Sequence, residues 1–392
     1  MERITPKIGA QEKLRTVHKT ILSLSHRIHA NPELGFEEEK ACAWLSEELD
    51  GAGFDVKRGI CGLPTAFVAR AGSGPLHIAI CAEYDSLPEI GHACGHNMIA
   101  AMAVGAGIAA AQVANDVGLT VSVVGTPAEE VGNASGKIVL LEHGAFSGMH
   151  AAMMVHPAPV EILEAHLIAA SMFDVHYTGK EAHASAFPEM GINAADALTV
   201  AQTSIGLLRQ HLRQTDRVHG IVTHGGDAPN IVPAHTSARY LVRGENLAEL
   251  EEVRAKVYSC FEAGAVATGC KLEIDGGDKP YADVRYDHEM SVIYKRNAEA
   301  IGRKFPELNP AMSRLAASTD MGNVSYTLPS IHPMIGINSL TAGNHQPEFT
   351  AHCVTEEADK AVIEGALAMA WTAIEMAGNS AIRERLIHNA RA

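Results

Sequence analysis

The chain has 392 residues, of which 47% are apolar and 20% charged, and a formal net charge of -15. This length exceeds one ordinary hydrophobic core and predicts a globular chain of two domains. The acidic balance, without a basic cluster, argues against nucleic-acid binding, and we expect no membrane span because no apolar run looks long enough. Seven cysteines without a disulfide-type spacing, and a polar N-terminus, predict a cytoplasmic protein.

The first part of the chain alternates helix-like and strand-like segments. Apolar residues at helical spacing predict a helix within 35–49, and short apolar runs at 76–81, 119–125 and 151–156 predict buried strands. A small-residue segment, 98–114, predicts a helix between the first two of these strands. Alternating strands and helices predict an α/β fold, with a mostly parallel sheet covered by helices on both faces.

The pattern changes near residue 168. From there the segments read β-α-β-β-α-β, which is the ferredoxin-like α+β order. Further helical segments follow, with a strand at 330–337 and a long helix near 355–376. We therefore predict an α/β domain in two parts with a smaller domain inserted between them. The predicted bounds are 1–167 and 280–392 for the α/β domain, and 168–279 for the insertion.

Reactive side chains follow the predicted strands at their carboxyl ends, where ligands gather in open α/β sheets. One polar loop at a strand end is commonplace, whereas four at one sheet edge predict a functional site. In strand order these side chains are Glu83 and Asp85, Glu129 and Glu130, His156, and finally His345.

The segment GHACGHN, residues 91–97, contains alternating His92, Cys94 and His96. If the segment is extended, the three side chains share one side, and Asn97 is placed to cap the following helix. A thiolate before a helix N-terminus is stabilised, and thiolate and neutral imidazole both bind metal. A Cys-x-His pair alone is more often structural. Together with the strand-end histidines and carboxylates, it predicts a metal site.

Adjacent Glu129 and Glu130 point in different directions if the backbone is extended. One carboxylate could bind metal while the other takes a proton from a water molecule. The alternative is a solvated pair of loop carboxylates, and the dipeptide alone leaves both interpretations open.

Eight stretches carry a family resemblance, in order through nearly the whole chain: HANPELGFEE (29–38), EYDSLPEIGHACGHN (83–97), GTPAEE (125–130), VHP (155–157), GKEAHASAFPEMGINAADAL (179–198), APNIVP (228–233), STDMGNVSY (318–326) and NHQPEF (344–349). The chain resembles the dinuclear-metal aminoacylase and carboxypeptidase family, peptidase family M20. Within that family it resembles the amidohydrolase branch of aminobenzoyl-glutamate hydrolase, auxin-conjugate hydrolases and related dipeptidases.

The resemblance implies two divalent metal ions per subunit, zinc or manganese first, with cobalt and nickel as other candidates. It makes Glu129 the general base and acid, Asp85 a residue that orients a ligand, and His92 a supporting residue, and it places Asp320 near the site. The implied metal ligands are Cys94, His96, Glu130, His156 and His345.

In this family the inserted domain is both lid and dimer interface, so the resemblance implies a homodimer. It places His183 to polarise the scissile carbonyl, often in the partner subunit's site, and Asn230 and Arg243 to hold a substrate carboxylate. Without the resemblance, the sequence favours ordinary loop and strand positions for these three residues. Gln346 and the loop VGNASGK (131–137) depart from the family pattern and leave the substrate open.

The implied function is metal-dependent hydrolysis of an amide bond in a small substrate with a free carboxylate, either an N-acyl or N-aroyl amino acid or a dipeptide. One rival keeps the fold but removes an amino group from a small aromatic compound. Another is a cysteine hydrolase that uses Cys94 and His96. The last is a non-catalytic metal-binding protein.

Overall fold

A computed structural model describes residues 5–307 and 316–389. Its helices are α1 (Pro6–His29), α2 (Glu39–Gly51), α3 (His96–Ala111), α4 (Ala114–Val117), α5 (Gly136–Glu142), α6 (Ala194–Leu208), α7 (Leu247–Thr268), α8 (His288–Ala300), α9 (Met321–Ser325), α10 (Pro347–His352), α11 (Glu356–Gly378) and α12 (Ser380–Asn389). Its strands are β1 (Asp55–Arg58), β2 (Phe67–Gly72), β3 (Leu76–Ala82), β4 (Leu119–Gly125), β5 (Ala151–Met153), β6 (His156–Ala158), β7 (Ala169–Thr178), β8 (Arg217–His224), β9 (His235–Gly244), β10 (Lys271–Gly276), β11 (Ser330–Ile331) and β12 (Met334–Gly336).

The larger sheet has six strands in the order β1-β2-β4-β3-β5-β11. The strands from β4 to β11 pair in parallel, whereas β1 and β2 pair antiparallel at one side. Every residue of β3 and β4 is buried, as expected of parallel strands that are covered on both faces. The predicted α/β fold is therefore confirmed, with an antiparallel extension that makes the sheet mixed.

Helix α3 lies between β3 and β4 in the chain and packs against α1 and α11. Its small side chains allow this close packing: a Cβ added at Gly107 would collide with Val123 of the sheet. Helix α11 is long and apolar enough to cross a membrane by length and composition, although 72% of its apolar window is buried in the protein. The expectation that no apolar segment is long enough to cross a membrane is wrong for α11, where Glu364 and Glu375 are the only charged residues in 361–378.

The smaller sheet has four antiparallel strands in the order β10-β7-β9-β8. Helices α6 and α7 pack on one face of it and enclose a hydrophobic core separate from the main one. The strand and helix order is the predicted ferredoxin-like one. Strand β8 forms an edge of this sheet, and its Ile221 and Val222 are exposed. The domain bounds at 168 and 279 stay predictions, and lie just outside β7 and β10.

Two predicted strands, 151–156 and 330–337, are each broken into two. β5 and β11 pair in the larger sheet, whereas β6 and β12 form a separate parallel pair. Pro333 lies at the second break, where it has no N–H to contribute to a ladder. Because both predicted strands are broken, His156 begins the new strand β6, and His332 directly follows β11 instead of lying inside a strand.

Candidate metal centre

The residues that follow β3, β4, β5 and β11 meet at one edge of the larger sheet, around a cleft of about 420 Å³. Cys94, Glu129, Glu130, His156 and His345 line the cleft. Its other wall is mostly apolar. The prediction that reactive side chains gather at this sheet edge therefore holds in three dimensions.

The five predicted ligands lie together in two overlapping groups. The ligand atoms of Cys94, His96 and His156 lie within 4.8 Å of one another, and so do those of Cys94, Glu130 and His345. Cys94 Sγ lies 3.5 Å from His156 Nε2, and Glu130 Oε1 lies 3.3 Å from His345 Nε2. Cys94 belongs to both groups, which is the arrangement expected of a ligand shared by two ions.

The chemistry of this cluster fits divalent metal. His96 Nε2 and Glu130 Oε1 are buried and lack a hydrogen-bond partner among the described residues, although they lie 3.8 Å apart. A cation between them would satisfy both atoms. Sulfur, imidazole nitrogen and carboxylate oxygen are the donors of zinc sites and of neighbouring transition-metal sites.

Asp85 orients the cluster from behind. Its Oδ1 lies 3.0 Å from His96 Nδ1, and its Oδ2 accepts a 2.9 Å hydrogen bond from the Glu130 N–H. On the other side, His156 Nδ1 lies 2.9 Å from the Pro157 carbonyl oxygen and can donate to it. In both histidines Nδ1 is engaged, so Nε2 is directed at the cluster, as is typical of metal ligands.

Protonation in the cluster also favours a cation. Burial lowers the pKa of His156 to about 4, so its imidazole is neutral. Burial alone would lower the pKa of His96, but Asp85 outweighs it and raises that pKa well above the ordinary value. A proton and a metal ion compete for the same Nε2 lone pair, so surroundings that retain a proton would also retain a metal ion.

The surroundings of Cys94 suit a metal ligand better than a nucleophile. Its side chain is buried, and burial together with the charge of Glu130 raises the pKa of the thiol well above its ordinary value. A nucleophilic cysteine needs the opposite, a lowered pKa. A bound cation would favour the thiolate.

Glu129 and Glu130 both line the cleft, and both approach His96 Nε2, at 4.0 Å and 3.8 Å, while Glu130 also lies 3.3 Å from His345 Nε2. Burial, then the charges of Glu83 and Glu130, raise the pKa of the Glu129 carboxyl well above its ordinary value. The loop before it is constrained, since Ala128 has a positive φ of 58° and its N–H donates to the buried Glu38 carboxylate at 2.7 Å. The backbone that leads into the two glutamates is thus held by a buried contact.

Sequence reasoning missed a buried ion-pair network behind Glu129. Lys137 Nζ lies 2.5 Å from both Glu83 Oε1 and Asp320 Oδ1, and all three side chains are almost fully buried. Ser135 Oγ also donates to Asp320, at 2.6 Å. Asp320 is therefore near the site, as the resemblance implied. No local sequence pattern indicated that Lys137 is buried in an ion pair, because its partners lie 54 and 183 residues away in sequence.

Two expectations for the segment 91–97 are wrong. Helix α3 begins at His96 after a Gly95 N-cap, so Asn97 does not cap it; its Nδ2 donates to Ser25 Oγ at 3.0 Å. The segment is also not extended, because Gly91 and Gly95 both have positive φ. His92 stacks on His29 at a ring distance of 6.2 Å and belongs to neither ligand group.

The three predicted substrate-binding residues are divided between two places. Arg243 lines the cleft and donates to Ser318 Oγ at 2.6 Å. His183 and Asn230 are exposed on loops of the inserted domain, next to each other, with the Ala184 N–H donating to the Asn230 carbonyl at 3.0 Å. Neither is among the residues that line the cleft of the same chain.

Comparisons with known proteins agree with this architecture. Residues 169–268 match the family model of the M20 peptidase dimerisation domain. The chain is 36% identical over 395 residues to Xaa-Arg dipeptidase from Mus musculus, covering 96% of this chain and 90% of that one. It is 32% identical over 271 residues to a subunit of p-aminobenzoyl-glutamate hydrolase from Escherichia coli, covering 64% and 56% of the two chains.

Solved structures share the fold. An aminobenzoyl-glutamate utilization protein from Klebsiella pneumoniae superposes with a TM-score of 0.72 at 18% identity, covering 92% of this chain and 97% of that one. A dinuclear metal binding peptidase of the M20 family from Bacillus subtilis gives a TM-score of 0.67 at 21% identity, covering 92% and 99%.

The fold and the ligand cluster define a metal-dependent hydrolase that acts on C–N bonds. The chain belongs to peptidase family M20, in its amidohydrolase branch. The predicted family, fold and class of reaction are thereby confirmed.

Proposed function

We propose that the protein cleaves the amide bond of an N-acyl or N-aroyl amino acid, or of a dipeptide, whose product side carries a free carboxylate. The observation that carries the proposal is the pair of adjacent glutamates that line the cleft beside the ligand cluster. Glu130 lies 3.8 Å from His96 Nε2 and 3.3 Å from His345 Nε2, whereas Glu129, whose side chain is buried, lies 4.0 Å from His96 Nε2.

Cys94, His96, Glu130, His156 and His345 would hold two divalent ions, with zinc or manganese favoured over cobalt and nickel. Such ions supply Lewis acidity and lower the pKa of a water molecule to about 7. Bound cations would also draw the pKa of Glu129 down from its raised value, because opposite charge favours the ionised carboxylate.

Glu129 then acts as base and acid in turn. Its carboxylate accepts a proton from the attacking water molecule, and the carboxylic acid returns that proton to the leaving amine nitrogen. The backbone behind Glu129 is held by Tyr281, whose hydroxyl donates to the Glu129 carbonyl and accepts a 3.1 Å hydrogen bond from the Gly132 N–H. This anchoring keeps the carboxylate in reach of the bond that breaks.

Arg243 is the proposed partner of the substrate carboxylate. It lies on the cleft wall beside Ser318, and a guanidinium binds carboxylate through two parallel hydrogen bonds. The apolar part of the wall, which includes Ile162, Leu167 and Met334, suits the acyl or side-chain portion of the substrate. The names of the relatives, a dipeptidase and an aminobenzoyl-glutamate hydrolase, agree with such a substrate.

The inserted domain is proposed to form a homodimer along β8. Strand β8 is an edge strand with exposed apolar side chains, which a second copy would cover. His183 and Asn230, which do not line the cleft of their own chain, would then act in the partner's cleft. A cytoplasmic location is proposed because all seven cysteines are free thiols.

The test is metal analysis of the purified protein, followed by a panel of N-acyl amino acids, aminobenzoyl-glutamate and dipeptides. We expect two divalent ions per subunit and the release of an amino acid from at least one class. Release of ammonia without an amino acid would instead favour the aminohydrolase alternative. Full activity after complete removal of metal would refute the proposal.

A further inference from the structure

His332 lies at the same sheet edge as the proposed catalytic residues. It directly follows β11, the fourth strand of the parallel part of the sheet, just as Glu83 directly follows β3. Its side chain lines the cleft although the residue is only 1% exposed. It is therefore on the floor of the cleft and not at its rim.

Both ring nitrogens of His332 lack a hydrogen-bond partner among the described residues. Leaving a buried polar group unsatisfied is costly, and most such groups in folded proteins find a partner. An apolar residue would fill the same space without that cost. An unsatisfied imidazole on a cleft wall can form a hydrogen bond to a molecule that occupies the cleft.

A metal ion is not the best candidate for that partner. The His332 ring lies 5.5 Å from the ring of His156, centre to centre. Among the described residues, however, His332 is in none of the groups whose ligand atoms lie within 4.8 Å of one another. It is next to the ligand cluster but outside it.

An imidazole ring has at least one N–H donor in either protonation state. Amide and carboxylate oxygens accept hydrogen bonds and donate none. The chemistry of the cleft floor therefore suits an oxygen atom of the substrate.

We propose that His332 is a substrate-contacting residue, whose ring N–H donates a hydrogen bond to an oxygen atom of the substrate on the side of the cleft formed by His156. This inference rests on the proposed amide-hydrolase function. It adds a residue to the substrate site that neither the strand-end pattern nor the family resemblance indicated.

The test compares three variants. His332→Phe keeps a flat ring but cannot form the hydrogen bond. His332→Asn places an amide donor near the position of Nδ1, and His332→Gln places one near the position of Nε2. We expect kcat/KM to fall about 10- to 100-fold in the Phe variant, the loss expected for one buried hydrogen bond to a substrate. At least one amide variant should recover most of that loss. All variants should retain the wild-type metal content and thermal midpoint.

His77→Phe is the matched control. His77 is also a buried histidine, but it lies at the start of β3, at the end of the strand away from the site, and its Nε2 is 2.8 Å from Ser122 Oγ. This variant should keep the wild-type kcat/KM even if it loses some thermal stability.

A binding measurement separates this inference from the proposed catalytic mechanism. In a Glu129→Gln background, titration calorimetry should show about tenfold or greater weakening of substrate Kd when His332 is changed to Phe. Normal turnover by Glu129→Gln alone would refute the general-base role but leave this comparison of Kd valid. If His332→Phe has the same kcat/KM and the same Kd as the protein with His332 intact, the inference is overturned. It is also overturned if His332→Phe loses bound metal, or if neither the Asn nor the Gln variant recovers activity.

Discussion

The buried cation Lys137 offers a quantitative test of how the site is held together. Changing Lys137 to Met removes the charge but keeps a long apolar side chain. Asp320 would then remain buried with no Lys or Arg within ion-pair distance among the described residues, and Glu83 would keep only His96, whose Nε2 lies 3.5 Å from Glu83 Oε2. Removing one partner of a buried ion pair costs about 3–5 kcal/mol, because a charge is left uncompensated. We expect the free energy of unfolding to fall by about that amount at neutral pH.

The loss should depend on pH in a defined direction. Burial alone would raise the pKa of Glu83, but Lys137, together with His96 and His156, outweighs burial and lowers that pKa to about 2. In the wild type Glu83 therefore contributes stability above pH 4.5 that is lost as pH falls through about 2. Without Lys137, burial dominates and the folded-state pKa rises above the unfolded value. Such a group loses stability as pH rises through that raised pKa. The difference in unfolding free energy between the wild type and Lys137→Met should therefore be smaller at pH 5 than at pH 7.5.

Urea unfolding followed by tryptophan fluorescence is the assay. Both tryptophans, Trp44 and Trp371, pack against the main core, so the signal reports the catalytic domain. All samples are treated with chelator first, so that metal binding does not contribute to the difference.

Lys279→Met is the control, because Lys279 forms an ion pair of the same length, 2.5 Å, with Glu142, at 35% and 44% side-chain exposure. An exposed pair contributes less than about 1 kcal/mol. Equal losses in the Lys137 and Lys279 variants, or a Lys137 deficit that grows toward acid pH, would refute the reasoning.

Three further outcomes follow from the site and the inserted domain. Asp85→Asn should weaken metal binding about 10- to 100-fold, measured by competition with a chromophoric chelator, because His96 loses the carboxylate that orients it; unchanged affinity would contradict that role. Ile221→Glu should shift the protein from dimer toward monomer in analytical ultracentrifugation, because the exposed edge of β8 would carry a charge into the interface, and an unchanged dimer would place the interface elsewhere. Mixed His183→Ala and Glu129→Gln subunits should regain activity that neither has alone, and no recovery would favour action of His183 within one subunit.

Much of the site could be predicted because the residues that follow parallel strands lie at the same edge of the sheet. Glu129, Glu130 and His156 each come shortly after a buried apolar run, and the structure brings them together at the cleft. His332 obeys the same rule. The sequence conceals it because the run 330–337 looks like one strand, and only the break before β12 places it at a strand end.

Other features depend on contacts that no local pattern encodes. The side chain of Lys137 reaches two carboxylates that are distant in sequence, and an isolated Lys after Ser-Gly is typical of an ordinary surface residue. The alternation of reactive residues in the GHACGHN segment favours an extended conformation. Gly91 and Gly95 instead have left-handed backbone conformations, and His92 stacks on His29 and belongs to neither ligand group.

The central claim is that Glu129 moves the proton while its neighbour Glu130 holds metal. The most direct measurement is the metal content and turnover of Glu129→Gln, side by side with wild type, on the best substrate of the panel. The account predicts full metal content with kcat lowered about 10²- to 10⁴-fold, the usual contribution of a general base. Turnover close to wild type in a fully metal-loaded Glu129→Gln protein would contradict it.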